Sequence, residues 1–144
     1  MYREESEKQQ ELEDFYLPFG DHLDEEYRWV ILSKKVPWKE IEKDYKEKLA
    51  KTETGAPAKP LRMALGALII KEKLQISDRE VVEQIRENPY LKYFIGMEGY
   101  EDKAPFDSSM MVHFRKRLGG ELIQKTNEIL FKENQDALRK KNIK

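Results

Sequence analysis

Cysteine is absent from the 144 residues, which excludes disulfides and thiolate metal sites. Histidine is nearly absent: only His22 and His113 occur, so the sequence predicts neither a zinc nor a haem site, and no cofactor. Apolar runs such as Ala67–Ile70 fall far short of the roughly 18 residues of a membrane span. Glu4 and Glu5 stand where a signal peptide has basic residues. These absences predict a cytoplasmic protein without a membrane partner.

A catalytic constellation is also missing. No serine lies in a glycine-rich elbow, and without cysteine the chain has no candidate for nucleophilic catalysis. Carboxylates are frequent between residues 4 and 26, but their crowding on polar segments indicates an exposed face rather than a metal cluster. We therefore expect that this chain is not an enzyme by itself.

An excess of basic charge is lacking as well. The chain has 27 Lys and Arg against 28 Asp and Glu, for a net charge of −1, whereas phosphate contacts require a basic surface. The charge is unevenly distributed, however. Residues 1–50 hold 9 basic and 14 acidic side chains, and residues 51–144 hold 18 and 14. An anionic partner is therefore expected to bind the second part of the chain.

Signals for helix boundaries are abundant, and no convincing strand is found. Ser77 and Glu80 form a capping-box pattern, and Asn88 followed by Pro89 is typical of the start of a second short helix. The most apolar segment, Leu61–Leu74, predicts a central, buried helix. We predict an all-α fold, a compact bundle of six or seven helices.

A third short helix follows after an irregular stretch. Asp107 or Ser108 can cap it, its last turns are basic, and Gly119-Gly120 can end it. Three short helices of which the last is basic predict a helix-turn-helix-like trihelical module. The expected division is an acidic helical extension over residues 1–50 that packs on the core, a DNA-binding module over 57–120, and a C-terminal helix over 121–144.

Helical spacing assigns the two sides of this third helix. Met111, Phe114 and Leu118 are expected to pack inward, and the polar side chains then point away from the core or lie on the flanks. Arginine and lysine can contact phosphates, and arginine can read guanine, so this side is a candidate DNA-binding surface. The candidate residues are Ser109, His113, Arg115, Lys116 and Arg117.

Three phrases of the sequence resemble one family of proteins. They are PLRMALGALIIK at 60–71, ENPYLKYFIG at 87–96 and PFDSSMMVHFRKRL at 105–118, with weaker similarity at 12–20 and 37–42. These phrases resemble the N-terminal domain of bacterial insertion-sequence transposases of the DDE type, in the insertion-sequence-five-like group.

The resemblance implies a domain that recognises double-stranded DNA at the element ends and assists assembly of the transposase. In that family a catalytic domain follows, in which three carboxylates hold two metal ions. This chain ends at Lys144, before such a domain could begin, and no Asp or Glu in it matches a catalytic residue. The expectation is a truncated or split transposase, or a fragment of one, whose C-terminal helix leads toward the missing domain.

Other interpretations of the same residues stay open. The basic helix can be a solvated face whose charges serve only the helix dipole, and Asp78 is best interpreted as stabilising a helix N-terminus. The chain can instead be a protein-interaction module that pairs with itself or with the transposase catalytic domain through the apolar residues of 12–32 and 122–131. The predicted core, which either function would share, comprises Leu65, Leu68, Ile69, Val82, Ile85, Tyr93, Phe94, Phe114 and Leu118.

Overall fold

The helices of the protein are arranged around its most apolar segment. The computed structural model describes residues 14–17, 22–50 and 60–142, without the side chains of 48–50, 121–122, 129–130 and 133–142. The helices of these residues are, in chain order, α1 (Arg28–Lys35), α2 (Trp38–Ala50), α3 (Leu61–Leu74), α4 (Asp78–Glu87), α5 (Pro89–Phe94) and α6 (Met110–Asn142). Gly119 divides α6 into two helices, because its φ of 73° and ψ of 156° are not helical. The predicted all-α fold of six or seven helices is confirmed.

Helix α3 contacts four other helices, namely α2, α4, α5 and α6. Its central position follows from composition, because apolar residues occupy almost its whole circumference and leave only a few polar positions. It ends at Gln75, which takes a left-handed conformation with φ 54° and donates its backbone N–H to the carbonyl of Lys71. All nine residues predicted as core are buried: Leu65, Leu68, Ile69, Val82, Ile85, Tyr93, Phe94, Phe114 and Leu118.

The short helices α4 and α5 begin where the sequence places their caps. The Ser77 hydroxyl accepts the backbone N–H of Glu80 at 3.1 Å, which satisfies one of the free donors of the first turn of α4. The Asn88 side chain accepts the N–H of Tyr90 at 2.9 Å, and Pro89 occupies the first position of α5. These caps fix the direction of both helices across a single intervening residue.

A buried cation joins α3 to the end of α5. Arg62 is 6% exposed, and its guanidinium donates to the carbonyl oxygens of Phe94 at 3.0 Å and of Tyr93 at 2.9 Å. The rings of Trp38 and Tyr93 lie on it, with centroids at 5.2 and 5.3 Å. Burial lowers the pKa of Arg62, and its interaction with Tyr93 opposes part of that shift. Arg62 therefore connects three helices, α2, α3 and α5.

The described part of residues 1–50 lies against the other helices. Helix α1 packs on α5 and α2 packs on α3. Ahead of them, Phe15 is buried with its ring edge against Tyr93, at a centroid distance of 5.9 Å. Tyr16 forms an isolated parallel bridge with Gly99, in which its N–H donates to Glu98 O and its carbonyl accepts from Tyr100 N. The boundaries of the expected domains remain predictions, and residues 1–13, 18–21 and 51–59 lie outside the described part.

Candidate nucleic-acid interface

The N-terminal half of α6, residues 110–118, packs on the core through one side only. Met111, Phe114 and Leu118 are at most 1% exposed, as the helical spacing predicts. Phe114 meets Phe106 edge to face at a centroid distance of 5.0 Å, so the loop ahead of the helix is fixed to it. Because this side is completely buried, the opposite side of the helix must point away from the protein.

The exposed side brings together Ser109, Val112, His113 and Lys116, which we call the outer face. The four residues are three, one and three positions apart, so they line one strip across two helical turns. The strip offers a hydroxyl, a methyl pair, an imidazole and an ammonium. These groups can donate to or accept from base edges, contact a thymine methyl and neutralise a phosphate.

The Asp107 carboxylate fixes the beginning of this strip. Its Oδ1 accepts the backbone N–H of Ser109 at 2.9 Å, and this bond holds the pKa of Asp107 below its ordinary value. The carbonyl of Asp107 accepts the N–H of Met110. Asp107 rather than Ser108 therefore organises the turn that leads into α6, and Ser109 projects from a turn with a defined conformation.

Arg115, on one flank of the outer face, is bound to another helix. Its Nη1 and Nη2 atoms donate to Oδ1 and Oδ2 of Asp78 at the start of α4, both at 2.9 Å. Lys71 of α3 lies 3.2 Å from the same carboxylate. Hydrogen bonds from Arg115 and Lys71 lower the pKa of Asp78 from 3.8 to about 2. We call these three residues the Asp78 cluster; it links α3, α4 and α6.

The sequence pattern favoured a helix-dipole role for Asp78 and did not identify its two cationic partners. Asp78 lies in the first turn of α4, so the dipole interaction also applies, but the ion pairs lie closer to its carboxylate. The spacing of three residues between Ser77 and Glu80 showed where α4 begins. No comparable local pattern relates residue 78 to residue 115, which lies 37 positions away.

Arg117, on the other flank, lies beside Tyr45 of α2. Burial raises the pKa of Tyr45, and the neighbouring Arg117 opposes part of that rise. The five predicted site residues therefore divide into two groups. Ser109, His113 and Lys116 are exposed on the outer face, whereas Arg115 and Arg117 are half-buried and interact with α4 and α2.

The segment before α6 is held in place by two cations from the preceding helices. Lys92 of α5 is buried, and its Nζ donates to the carbonyl of Lys103 at 2.9 Å. Arg86 of α4 donates to Asp102 at 2.8 Å and to Glu83 at 3.1 Å. The segment between α5 and α6 is thus fixed at the consecutive residues Asp102 and Lys103. These contacts help to set the position of the outer face relative to α4 and α5.

The described ranges contain neither a cluster of metal-binding side chains nor a membrane-spanning helix. Histidine and acidic side chains there form no group of three or more that could hold a metal ion. None of the helices in those ranges is long and apolar enough to cross a membrane.

Comparison with known proteins identifies the family of this chain. Residues 17–117 match the transposase domain family DUF772, a range that extends from before α1 to the end of the N-terminal half of α6. A protein of Rhizobium meliloti, described as the uncharacterized protein ORF8 in the nfe locus, is 43% identical over 65 residues. That alignment covers 45% of this chain and 31% of the relative, so the chain spans about a third of the relative's length. No solved structure matches.

Proposed function

The chain belongs to the transposase domain family DUF772, and on this premise we propose that it is an N-terminal DNA-binding and assembly domain of an insertion-sequence transposase. Its ligand is double-stranded DNA at the ends of the element. The chain is not catalytic alone; the strand cleavage and transfer belong to a separate catalytic domain with its own metal ions. Because the proposed ligand is bacterial DNA, we expect the protein to act in the cytoplasm.

The outer face is the observation that carries this proposal. A helix whose inner side is buried through Met111, Phe114 and Leu118 presents polar groups on its other side. We assign α4, α5 and residues 110–118 to the helix-turn-helix-like module, since α4, α5 and α6 all contact α3, and we take residues 110–118 as its recognition helix. Lys116 then contacts phosphate, while Ser109 and His113 lie where base edges would be.

The charge balance favours a small number of phosphate contacts. Arg115 is paired with Asp78, and Arg117 interacts with Tyr45, so Lys116 is the basic residue of the candidate site that is exposed on the outer face. Each phosphate contact releases counterions, so a site with few contacts binds weakly and with a shallow dependence on salt. Binding is therefore best measured at low ionic strength.

The test is fluorescence anisotropy of the chain with duplex DNA selected by the chain from a randomised library. Lys116→Ala should weaken binding and reduce the slope of log K against log salt by about 0.9. The matched control, Lys39→Ala, removes another exposed lysine, on α2, and should leave the slope unchanged. Ser109→Ala and His113→Ala should change the preferred sequence more than the affinity.

Two results would contradict the proposal. One is that the chain retains no duplex from the library at low salt. The other is that Lys116→Ala and Lys39→Ala have equal effects, because the outer face would then contribute nothing beyond general charge.

Exposed apolar surface supports a second candidate function, a protein-interaction module of a transposase. Phe131, beyond the break at Gly119, is 66% exposed, although Thr126 on the same helix is buried. An aromatic side chain of this kind can anchor a contact with another subunit or domain when it enters a pocket of the partner. Sedimentation equilibrium distinguishes this function: a dimer that Phe131→Ser dissociates would support it, and a monomer at all concentrations would count against self-association.

A further inference from the structure

The Asp78 cluster leaves part of the Arg115 guanidinium unused. The two hydrogen bonds to Asp78 run from Nη1 and Nη2, so the carboxylate meets the end of the guanidinium fork. A guanidinium has five N–H groups. Neither bond uses the Nε–H, and each terminal nitrogen keeps a second N–H. The edge formed by Nε and Nη2 therefore still carries two parallel donors.

Two parallel donors at this spacing match the O6 and N7 acceptors of guanine, or two oxygens of one phosphate. The Arg115 side chain is 40% exposed and lies on the flank of the outer face, about one turn after Val112 and directly before Lys116 in the sequence. Because Arg115 borders the outer face and is partly exposed, a duplex bound along that face would lie within reach of its guanidinium.

The carboxylate that holds Arg115 is itself held on its other sides. Asp78 follows the capping residue Ser77 in the first turn of α4. Lys71 contacts Asp78 and also donates to the backbone carbonyl of Ile76 at 2.9 Å, so its ammonium is fixed at the turn between α3 and α4. An arginine bound at both terminal nitrogens to a fixed carboxylate loses little further conformational freedom when it binds a base.

We propose that Asp78 is a positioning residue that presents the Nε–Nη2 edge of Arg115 for bidentate recognition of a guanine. The proposal rests on the proposed DNA-binding function, which it extends by assigning a base class to Arg115 and a role to a residue of another helix. A phosphate is the alternative acceptor for the same edge. Binding measurements distinguish the two acceptors, because loss of a guanine contact lowers sequence discrimination, whereas loss of a phosphate contact lowers the affinity for every duplex.

The test is a double-mutant cycle on discrimination, defined as the ratio of affinities for the duplex selected by the parent chain and for a scrambled duplex of the same composition. Asp78→Asn should lower discrimination about tenfold, the usual effect of losing one bidentate base contact. It removes a negative charge, so affinity for the scrambled duplex should stay equal or rise. In an Arg115→Ala background, Asp78→Asn should cause no further loss of discrimination.

Two further variants separate positioning from charge. Glu80→Gln removes one negative charge from the same turn of α4, where Glu80 is exposed and accepts a bond from Gln84. It should retain the discrimination of the parent chain. Arg115→Lys keeps a cation beside Asp78 but lacks the parallel donors, so it should lose discrimination as Asp78→Asn does. Circular dichroism at the assay temperature checks that each variant is folded.

The inference is overturned if Asp78→Asn or Arg115→Lys retains full discrimination, or if Asp78→Asn lowers it equally without Arg115. A uniform loss of affinity for both duplexes would assign the edge to phosphate and likewise overturn it. These outcomes leave the proposed function intact. Failure of the parent chain to bind any duplex would refute both.

Discussion

Replacement of the buried Arg62 by methionine tests whether its charge or its apolar stem stabilises the fold. Methionine retains an unbranched apolar side chain that can lie between Trp38 and Tyr93, but it cannot donate hydrogen bonds. The carbonyls of Tyr93 and Phe94 lose the bonds that Arg62 donates at 2.9 and 3.0 Å. The variant therefore isolates the polar part of the interaction.

Two opposing contributions determine how much Arg62→Met changes the free energy of unfolding. Each hydrogen bond from a charged donor contributes about 1.5–3 kcal/mol, and stacking on aromatic rings adds about 0.5–2 kcal/mol at buried sites. Against this, the methionine variant avoids the cost of removing a guanidinium from water, which is several kcal/mol. Because Arg62→Met removes two hydrogen bonds from a charged donor while Tyr93 and Phe94 are buried, we expect a net destabilisation of about 2–4 kcal/mol.

The measurement is urea unfolding followed by circular dichroism, with the free energy of unfolding extrapolated to water. Arg62→Lys is the intermediate control, since an ammonium can bind these carbonyls but cannot lie flat between the two rings. It should be less destabilised than Arg62→Met. If Arg62→Met is as stable as the parent chain or more stable, the cost of burying the cation exceeds its bonds, and the reasoning is refuted.

Three further predictions concern other parts of the molecule. The lowered pKa of Asp78, about 2 against 3.8, means that its carboxylate stabilises the fold above pH 4 and that this stabilisation is lost as the pH falls through 2. Parent chain and Asp78→Asn should thus differ by about 1 kcal/mol at pH 6, after allowance for exposure, and converge near pH 2 in urea unfolding. Leu68→Ala should lower the free energy of unfolding by about 2–5 kcal/mol; a value below 1 kcal/mol would contradict its central packing. Gly99→Ala would place a Cβ 2.6 Å from the Tyr16 Cβ, so chymotrypsin should cleave near residue 16 faster than in the parent chain; unchanged cleavage would mean that the bridge tolerates the clash.

Local signals in the sequence predicted the helices correctly. The caps at Ser77 and Asn88 and the break at Gly119 depend on residues within four positions of each other, where backbone chemistry decides the outcome. The buried residues were predictable for the same reason, because the spacing of apolar residues within one helix defines the face that packs inward. The exposure of Ser109, His113 and Lys116 followed as well.

Contacts between distant charged residues were not predictable in this way. Asp78 and Arg115 each had a sufficient local interpretation, a helix dipole and a DNA contact, and the sequence contains no signal that pairs them across 37 positions. Arginine and lysine are usually exposed, yet Arg62 and Lys92 are buried. Arg62 donates to backbone carbonyls at the end of α5, and Lys92 donates to a backbone carbonyl in the segment after α5. Such acceptors exist only once the helices have packed.

The bridge between Tyr16 and Gly99 also bears on the order in which the chain folds. It joins residues more than 80 positions apart, whereas the turn between α4 and α5 joins neighbours. Closing a long loop costs entropy before its contacts form, so α4 and α5 should associate early and residues 14–17 should dock last. The last contacts to form are commonly the first to open. Amide protons of Tyr16 and Tyr100 should therefore exchange with solvent through a local opening that leaves those of α3 protected.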